Sequence, residues 1–182
     1  VCRRAADVGR IASSCAVSID RIPLAGTDGS LWLCGRDDIA RDPDAALAYA
    51  DGATTVVCLL PIQELETRYP TYVEWLRTNK AGRALWFPIN DFRAESADAT
   101  MPFLQMIVRR LEAGEGVVMH CALGQGRAGT MAVCLMMMLG ASPDQALSTV
   151  AANRIAAGPV GNWQWSLVEE VALATESGRR PG

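Results

Sequence analysis

The chain is poor in the residues on which many enzymes depend. Among 182 residues there is one histidine, His120, and one lysine, Lys80, while the other sixteen basic residues are arginines. A single histidine leaves no room for metal centres built on several imidazoles or for histidine phosphorelays. It also excludes most Ser-His-Asp chemistry unless His120 itself serves. No apolar run reaches the length of a membrane span, so no membrane partner is expected. The first ten residues are polar and charged and do not read as a secretory leader. Six cysteines stand at 2, 15, 34, 58, 121 and 134, without a CxxC pair or a tight cluster. They read as small buried hydrophobes of a chain in a reducing cytoplasm, not as a disulfide framework. The formal net charge of −3 argues against nucleic acid as a partner.

What is present is enough for a core. Half the residues are hydrophobic and a fifth are charged. There is no repeat, low-complexity tract or long linker, so residues 1–182 are expected to form one domain with a polar lead-in at 1–14 and a tail at 177–182. Short strands are expected at Cys15–Asp20 and Leu31–Cys34, across a turn at Ala25–Ser30. Pro43 opens a helix that Gly52 stops. The β-branched run Thr54–Leu60 reads as a buried strand. One or two helices over Pro61–Arg77 are interrupted near Pro70, and a strand follows at Ala84–Phe87. Ile89–Thr100 is polar and reads as a loop before an amphipathic helix over Met101–Ala113. Gly116–His120 is a buried strand. Helices then follow from about Arg127 to Leu139, from Ser142 to about Arg154, and from about Trp163 to Thr175. Alternating strands and helices give an α/β sheet with helices clustered at the C-terminal end.

The informative segment is VVMHCALGQGRAGT at Val117–Thr130. It places Cys121 at a strand end and Arg127 at a helix start. Cys-x5-Arg alone has about 0.5 chance matches in a chain of this composition. A second copy does occur, Cys15-x5-Arg21, but it encloses Val17 and Ile19, has no glycine and reads as a strand. The copy at 121 has His120 before it and Gly124 and Gly126 inside it. Requiring that histidine and Gly124 brings the chance expectation to about 10⁻⁴. A glycine-rich turn into a helix lets successive N–H groups face one anion, and the helix N-terminus adds positive potential. Arg127 supplies a planar fork matched to two phosphoryl oxygens. The same field favours a thiolate at Cys121.

This segment resembles the protein tyrosine phosphatase superfamily, and within it the compact dual-specificity group, in particular the kinase-associated phosphatase-like branch. LWLCGRDDI, TTVVCLL followed by Gln63-Glu64-Leu65, FPINDF and the late Gln164 fall in that group's order, and the likeness spans roughly residues 28–172. It implies a cysteine-phosphatase fold with a central, mostly parallel sheet flanked by helices. It further implies a cytoplasmic hydrolase, a protein phosphatase of tyrosine or dual specificity, working through a phosphocysteine intermediate without metal or cofactor. The roles it assigns are Cys121 as nucleophile, and Arg127 with the loop Ala122, Leu123, Gly124, Gln125 and Gly126 as phosphate holder. Asp91 is the acid that protonates the leaving oxygen, with Asp98 as a competitor in the same stretch. Gln164 would orient the hydrolytic water, and His120 would hydrogen-bond the loop backbone and tune Cys121.

Ala128 departs from the group's pattern, which has Ser or Thr directly after the arginine. Alanine cannot donate a hydrogen bond to the departing thiolate, so slow breakdown of the intermediate is expected. Thr130, one turn on, is expected to face away. Glu64 either braces the loop or merely starts a helix. Cys58 and Cys134 are either redox partners of Cys121 or core residues, and core packing is the simpler reading. Met136, Met137 and Met138 read as a buried helix face. Gln125 adds no charge to the cup, which disfavours phosphoinositides. The expected partner is a phosphorylated protein or a small phosphomonoester, acted on by a monomer. The competing functions are a phosphate-binding pseudophosphatase or adaptor and a rhodanese-like sulfurtransferase.

Overall fold

A computed structural model of the chain describes residues 18–80 and 82–179. Five strands form one sheet in the order β1-β2-β5-β3-β4. β1 (Ile19–Ile22) is antiparallel to β2 (Ser30–Gly35). β2, β5 (Gly116–Cys121), β3 (Thr55–Cys58) and β4 (Ala84–Trp86) run parallel. The sheet is therefore mostly parallel, as expected of an α/β chain. β5 is central, and Val117 to Cys121 are buried on both of its faces. A strand covered on both faces has no polar side to alternate with, which is why its sequence runs apolar from Val117 to Met119 before His120.

Among the described residues seven helices flank the sheet: α1 (Arg36–Ile39), α2 (Pro43–Tyr49), α3 (Pro70–Asn79), α4 (Ala97–Glu112), α5 (Gly126–Met138), α6 (Pro143–Asn153) and α7 (Asn162–Arg179). α5 is the hub of the C-terminal cluster, and α4, α6 and α7 all pack on it. Its residues from Arg127 to Met137 are buried, so the methionine run is core. Helix starts follow side-chain chemistry. Asp42 accepts from the Ala45 N–H with Pro43 next in line, and Ser142 forms a capping box with Gln145.

The structure moves several boundaries. The expected strand Cys15–Asp20 falls partly on residues outside the described set, and the strand that is described, β1, runs on to Ile22. The lead-in 1–14, Cys2, Cys15 and the last residues of the tail also lie outside the described residues. Pro70 begins α3 instead of interrupting a helix, and only a single 3₁₀ turn, Ile62–Glu64, precedes it. Ile89–Thr100 is not loop throughout: α4 starts at Ala97, where the Ser96 hydroxyl accepts from the Ala99 N–H. That cap and Asp98 in the first turn start the helix before the expected Met101 and carry it through Pro102. Four-residue α1 had no periodic signal; the Asp38 carboxylate starts it by accepting from the Gly35 N–H.

Candidate active site

The C-terminal ends of three parallel strands converge. β5 delivers Cys121, the segment after β3 delivers Glu64, and the segment after β4 delivers Asp91. Convergence of loops at the carboxyl ends of parallel strands is where α/β proteins place their ligands. Cys121, Arg127, Asp91 and Gln164, with Ala122, Leu123, Gln125 and Gly126, line one cleft of about 190 Å³. Cys121 is 3 % exposed, at its floor. Asp98 does not line the cleft; it sits exposed in the first turn of α4.

The loop from 122 to 125 is held from outside. The Ala122 carbonyl accepts from the Arg36 N–H at 3.0 Å. The Leu123 carbonyl accepts from Arg154 Nη2 at 2.7 Å and the Gly124 carbonyl from Arg154 Nε at 2.8 Å. The Gln125 carbonyl accepts from the Gly129 N–H at 2.7 Å. In a trans peptide the carbonyl and the next N–H point opposite ways. Four carbonyls turned outward therefore turn the N–H groups of residues 123–126 inward, as an anion nest requires. Gly124 has φ 70°, and a Cβ there would strike the Cys34 carbonyl and approach Arg154 Nε to 2.8 Å. The chain thus needs glycine at 124 for both conformation and space.

Arg127 is 2 % exposed, and both of its Nη atoms are engaged. Its Nη1 donates to Glu64 Oε1 at 2.7 Å and to the Ile89 carbonyl at 3.0 Å; its Nη2 donates to Glu64 Oε2 at 3.1 Å. Nη2 also lies 3.3 Å from Asp91 Oδ1. Burial works against its charge, but the Glu64 bonds and the Cys121 and Asp91 charges outweigh it and raise its pKa. Glu64 therefore braces the arginine that closes the loop, and it ends the 3₁₀ turn instead of starting a helix. Asp91 is 61 % exposed at the side chain and accepts from the Phe92 N–H at 3.1 Å.

Behind the cup, His120 is fully buried and its Nε2 lies 2.6 Å from the Tyr72 hydroxyl. Burial pushes its pKa down to about 3, against a smaller opposing pull from the Cys121 backbone. The tyrosine contact engages Nε2, while the Cys121 main chain acts on the ring from the loop side and Nδ1 has no well-formed hydrogen bond. Thr130 bonds the Gly126 carbonyl at 2.7 Å and Gln164 Oε1 at 3.1 Å, so its hydroxyl serves the loop and not the cysteine sulfur. Gln164 is fully buried. Its Oε1 also accepts from the Val160 N–H and its Nε2 donates to the Arg93 carbonyl, which ties α7 to the Asp91 segment. Cys58 and Cys134 are buried, and burial pushes both thiols up to about 12, as fits core packing. The sequence reading missed Arg154 and Tyr72. An arginine near a helix end was the one visible sign of the first, and nothing marked the second.

A central strand ending in cysteine, opening into an arginine-closed loop at a helix N-terminus, defines an α/β cysteine-phosphatase fold. The chain belongs to the Swiss Army Knife protein DSP-PTPase phosphatase domain family, whose model matches residues 33–172. Among solved structures it is similar to Tk-PTP in the active form, with 25 % identity, TM-score 0.64, and 84 % of this chain and 96 % of that one covered. It is also similar in fold to kinase associated phosphatase, with 18 % identity, TM-score 0.70, and 88 % and 97 % covered. A mouse dual specificity phosphatase solved with zinc tungstate shares 16 % identity, TM-score 0.68, with 94 % and 96 % covered. No curated protein matches the sequence.

Proposed function

We propose that the protein is a cysteine-dependent phosphomonoesterase of the tyrosine or dual-specificity type, acting through a phosphocysteine intermediate and needing no metal. The observation that carries this reading is the cleft itself. One nucleophile, one arginine fork, one carboxyl group and a ring of inward N–H groups meet over about 190 Å³. In the first step the Cys121 thiolate attacks phosphorus in line, the S–P bond forms and the P–O bond to the leaving group breaks. Asp91 gives its proton to the leaving oxygen. Arg127 and the amides of residues 122–127 hold the three equatorial oxygens as charge redistributes over them. In the second step water attacks phosphorus, Asp91 takes back a proton, and the S–P bond breaks to return the thiolate and inorganic phosphate. Gln164 supports the position of that water.

Arg127 must first exchange partners. Its Nη2 contact with Asp91 occupies a direction that a phosphoryl oxygen needs. An incoming phosphate therefore releases Asp91 from the arginine and lets it turn toward the leaving group. One observation favours the binding-module reading: Ala128 is fully buried and offers no hydroxyl to the departing sulfur. Hydrolysis of para-nitrophenyl phosphate with EDTA present separates the two readings. Cys121-dependent release, abolished in Cys121→Ser and reduced at least about 100-fold in Asp91→Ala with a natural phosphomonoester, supports the enzyme. Phosphate or tungstate binding without Cys121-dependent release makes the cup a binding site only.

A further inference from the structure

We propose that the groove between α6 and α7 is a docking site for a basic amphipathic helix of a partner protein. α6 and α7 both pack on α5 and leave an open groove of about 500 Å³ between them. Its floor and walls are apolar, with Leu147 from α6 and Trp165, Val168 and Leu173 from α7. Trp165 is 43 % and Leu173 65 % exposed, and with Leu147 and Ala172 they line one continuous apolar surface. Its rim carries three carboxylates, Asp144, Glu169 and Glu176, and among the residues whose side chains are described no basic residue lines it. Among the described residues none of the three is in an ion pair. The groove shares no residue with the Cys121 cleft.

The spacing sets the size of the occupant. Trp165, Val168, Ala172 and Glu176 follow one another at three or four residues along one face of α7. Eleven residues at 1.5 Å each make the stripe about 16 Å long, or three helical turns. A helix laid between two helices completes a packed triplet, the mode by which amphipathic helices enter apolar grooves. The charge selects its chemistry. A second copy docking by the same face would set three carboxylates against three. An anionic bilayer would meet the same repulsion. Lysine or arginine flanking a leucine stripe complements both floor and rim.

The test is binding of a fluorescent three-turn synthetic helix, with leucines at helical spacing and lysines elsewhere, to the full chain. A peptide with glutamates in place of the lysines is the control. The lysine peptide binds at least about tenfold more tightly than the glutamate peptide and weakens as salt rises. Leu173→Glu and Glu169→Lys/Glu176→Lys each weaken it about tenfold or more, while Glu66→Lys/Glu74→Lys, the same charge change elsewhere, leaves it within about twofold. Melting temperatures report that each variant is folded. Equal binding of the two peptides, or equal loss from the remote charge pair, overturns the proposal. So does self-association abolished by Leu173→Glu, which would assign the groove to a second copy.

Discussion

Arg154 holds the loop by its carbonyls, and replacing it with methionine isolates what that hold contributes. Arg154 is 8 % exposed. It donates to the carbonyls of Leu33, Leu123 and Gly124, and pairs with Asp20. Methionine keeps much of the packing volume but leaves four carbonyls, those of Ser18, Leu33, Leu123 and Gly124, the Ser18 hydroxyl and the Asp20 carboxylate without their donor. Asp20 is 39 % exposed and turns to water, while each carbonyl left buried without a donor costs about 1–3 kcal/mol of stability. The larger consequence is local. The Leu123 and Gly124 carbonyls set the direction of the Gly124 and Gln125 N–H groups. Losing one aligned donor to a developing oxyanion costs about 10²–10³ in rate. Arg154→Met is therefore expected to lose at least about 100-fold in kcat/KM on para-nitrophenyl phosphate and to bind tungstate correspondingly weakly. Arg154→Lys, with one donor group able to reach one carbonyl, falls between. Urea unfolding gives the stability change and calorimetric tungstate binding reads the cup without needing turnover. A folded Arg154→Met protein that keeps tungstate affinity within about threefold would refute the argument, because the cup would then hold its shape without the external donor.

Three further outcomes follow from the geometry. Ala128→Ser restores a hydroxyl at the start of α5; steady-state turnover rises and the pre-steady-state burst of nitrophenolate expected of the wild type shrinks, whereas a wild-type linear progress curve with no burst removes the premise. His120 titrates near 3 when folded and near 6.5 when unfolded, so the unfolded chain binds the extra proton between these values. Stability contributed by neutral His120 is present above about pH 6.5 and is lost as pH falls, with a slope approaching 1.4 kcal/mol per pH unit. Urea melts at pH 7, 6 and 5 check this, and His120→Gln flattens the slope over that range. Glu64→Gln removes the charge that holds both Nη atoms of Arg127; the fold is retained and kcat/KM on para-nitrophenyl phosphate falls about tenfold or more.

The sequence exposed those parts of the site that are contiguous, and the structure added those that are not. Cys121, the glycines and Arg127 lie within seven residues, and their order alone separates a cup from the strand-like decoy, in which Arg21 sits on β1 opposite Trp32. The buried strands were readable because both-sided burial leaves an apolar run, as in β3 and β5. The start of α4 was missed because its cap, Ser96, lies in a polar stretch without apolar period, so the expected helix began only where its apolar face does. Arg154 was unreadable for a different reason. Its acceptors are main-chain carbonyls thirty and more residues away, and a carbonyl carries no letter in the sequence. The same holds for Tyr72, whose partner His120 is reached only because α3 folds over the sheet face that β5 presents. A motif therefore names the groups that meet the ligand, while the groups that aim them are chosen by whatever side chain can reach the outer face of the loop. Two chains sharing His-Cys-x5-Arg can differ in that outer support, and the difference would appear in anion affinity and not in the motif. In this chain the support is concentrated in one buried arginine, which makes Arg154 the residue whose loss most directly separates having the cup's sequence from having the cup.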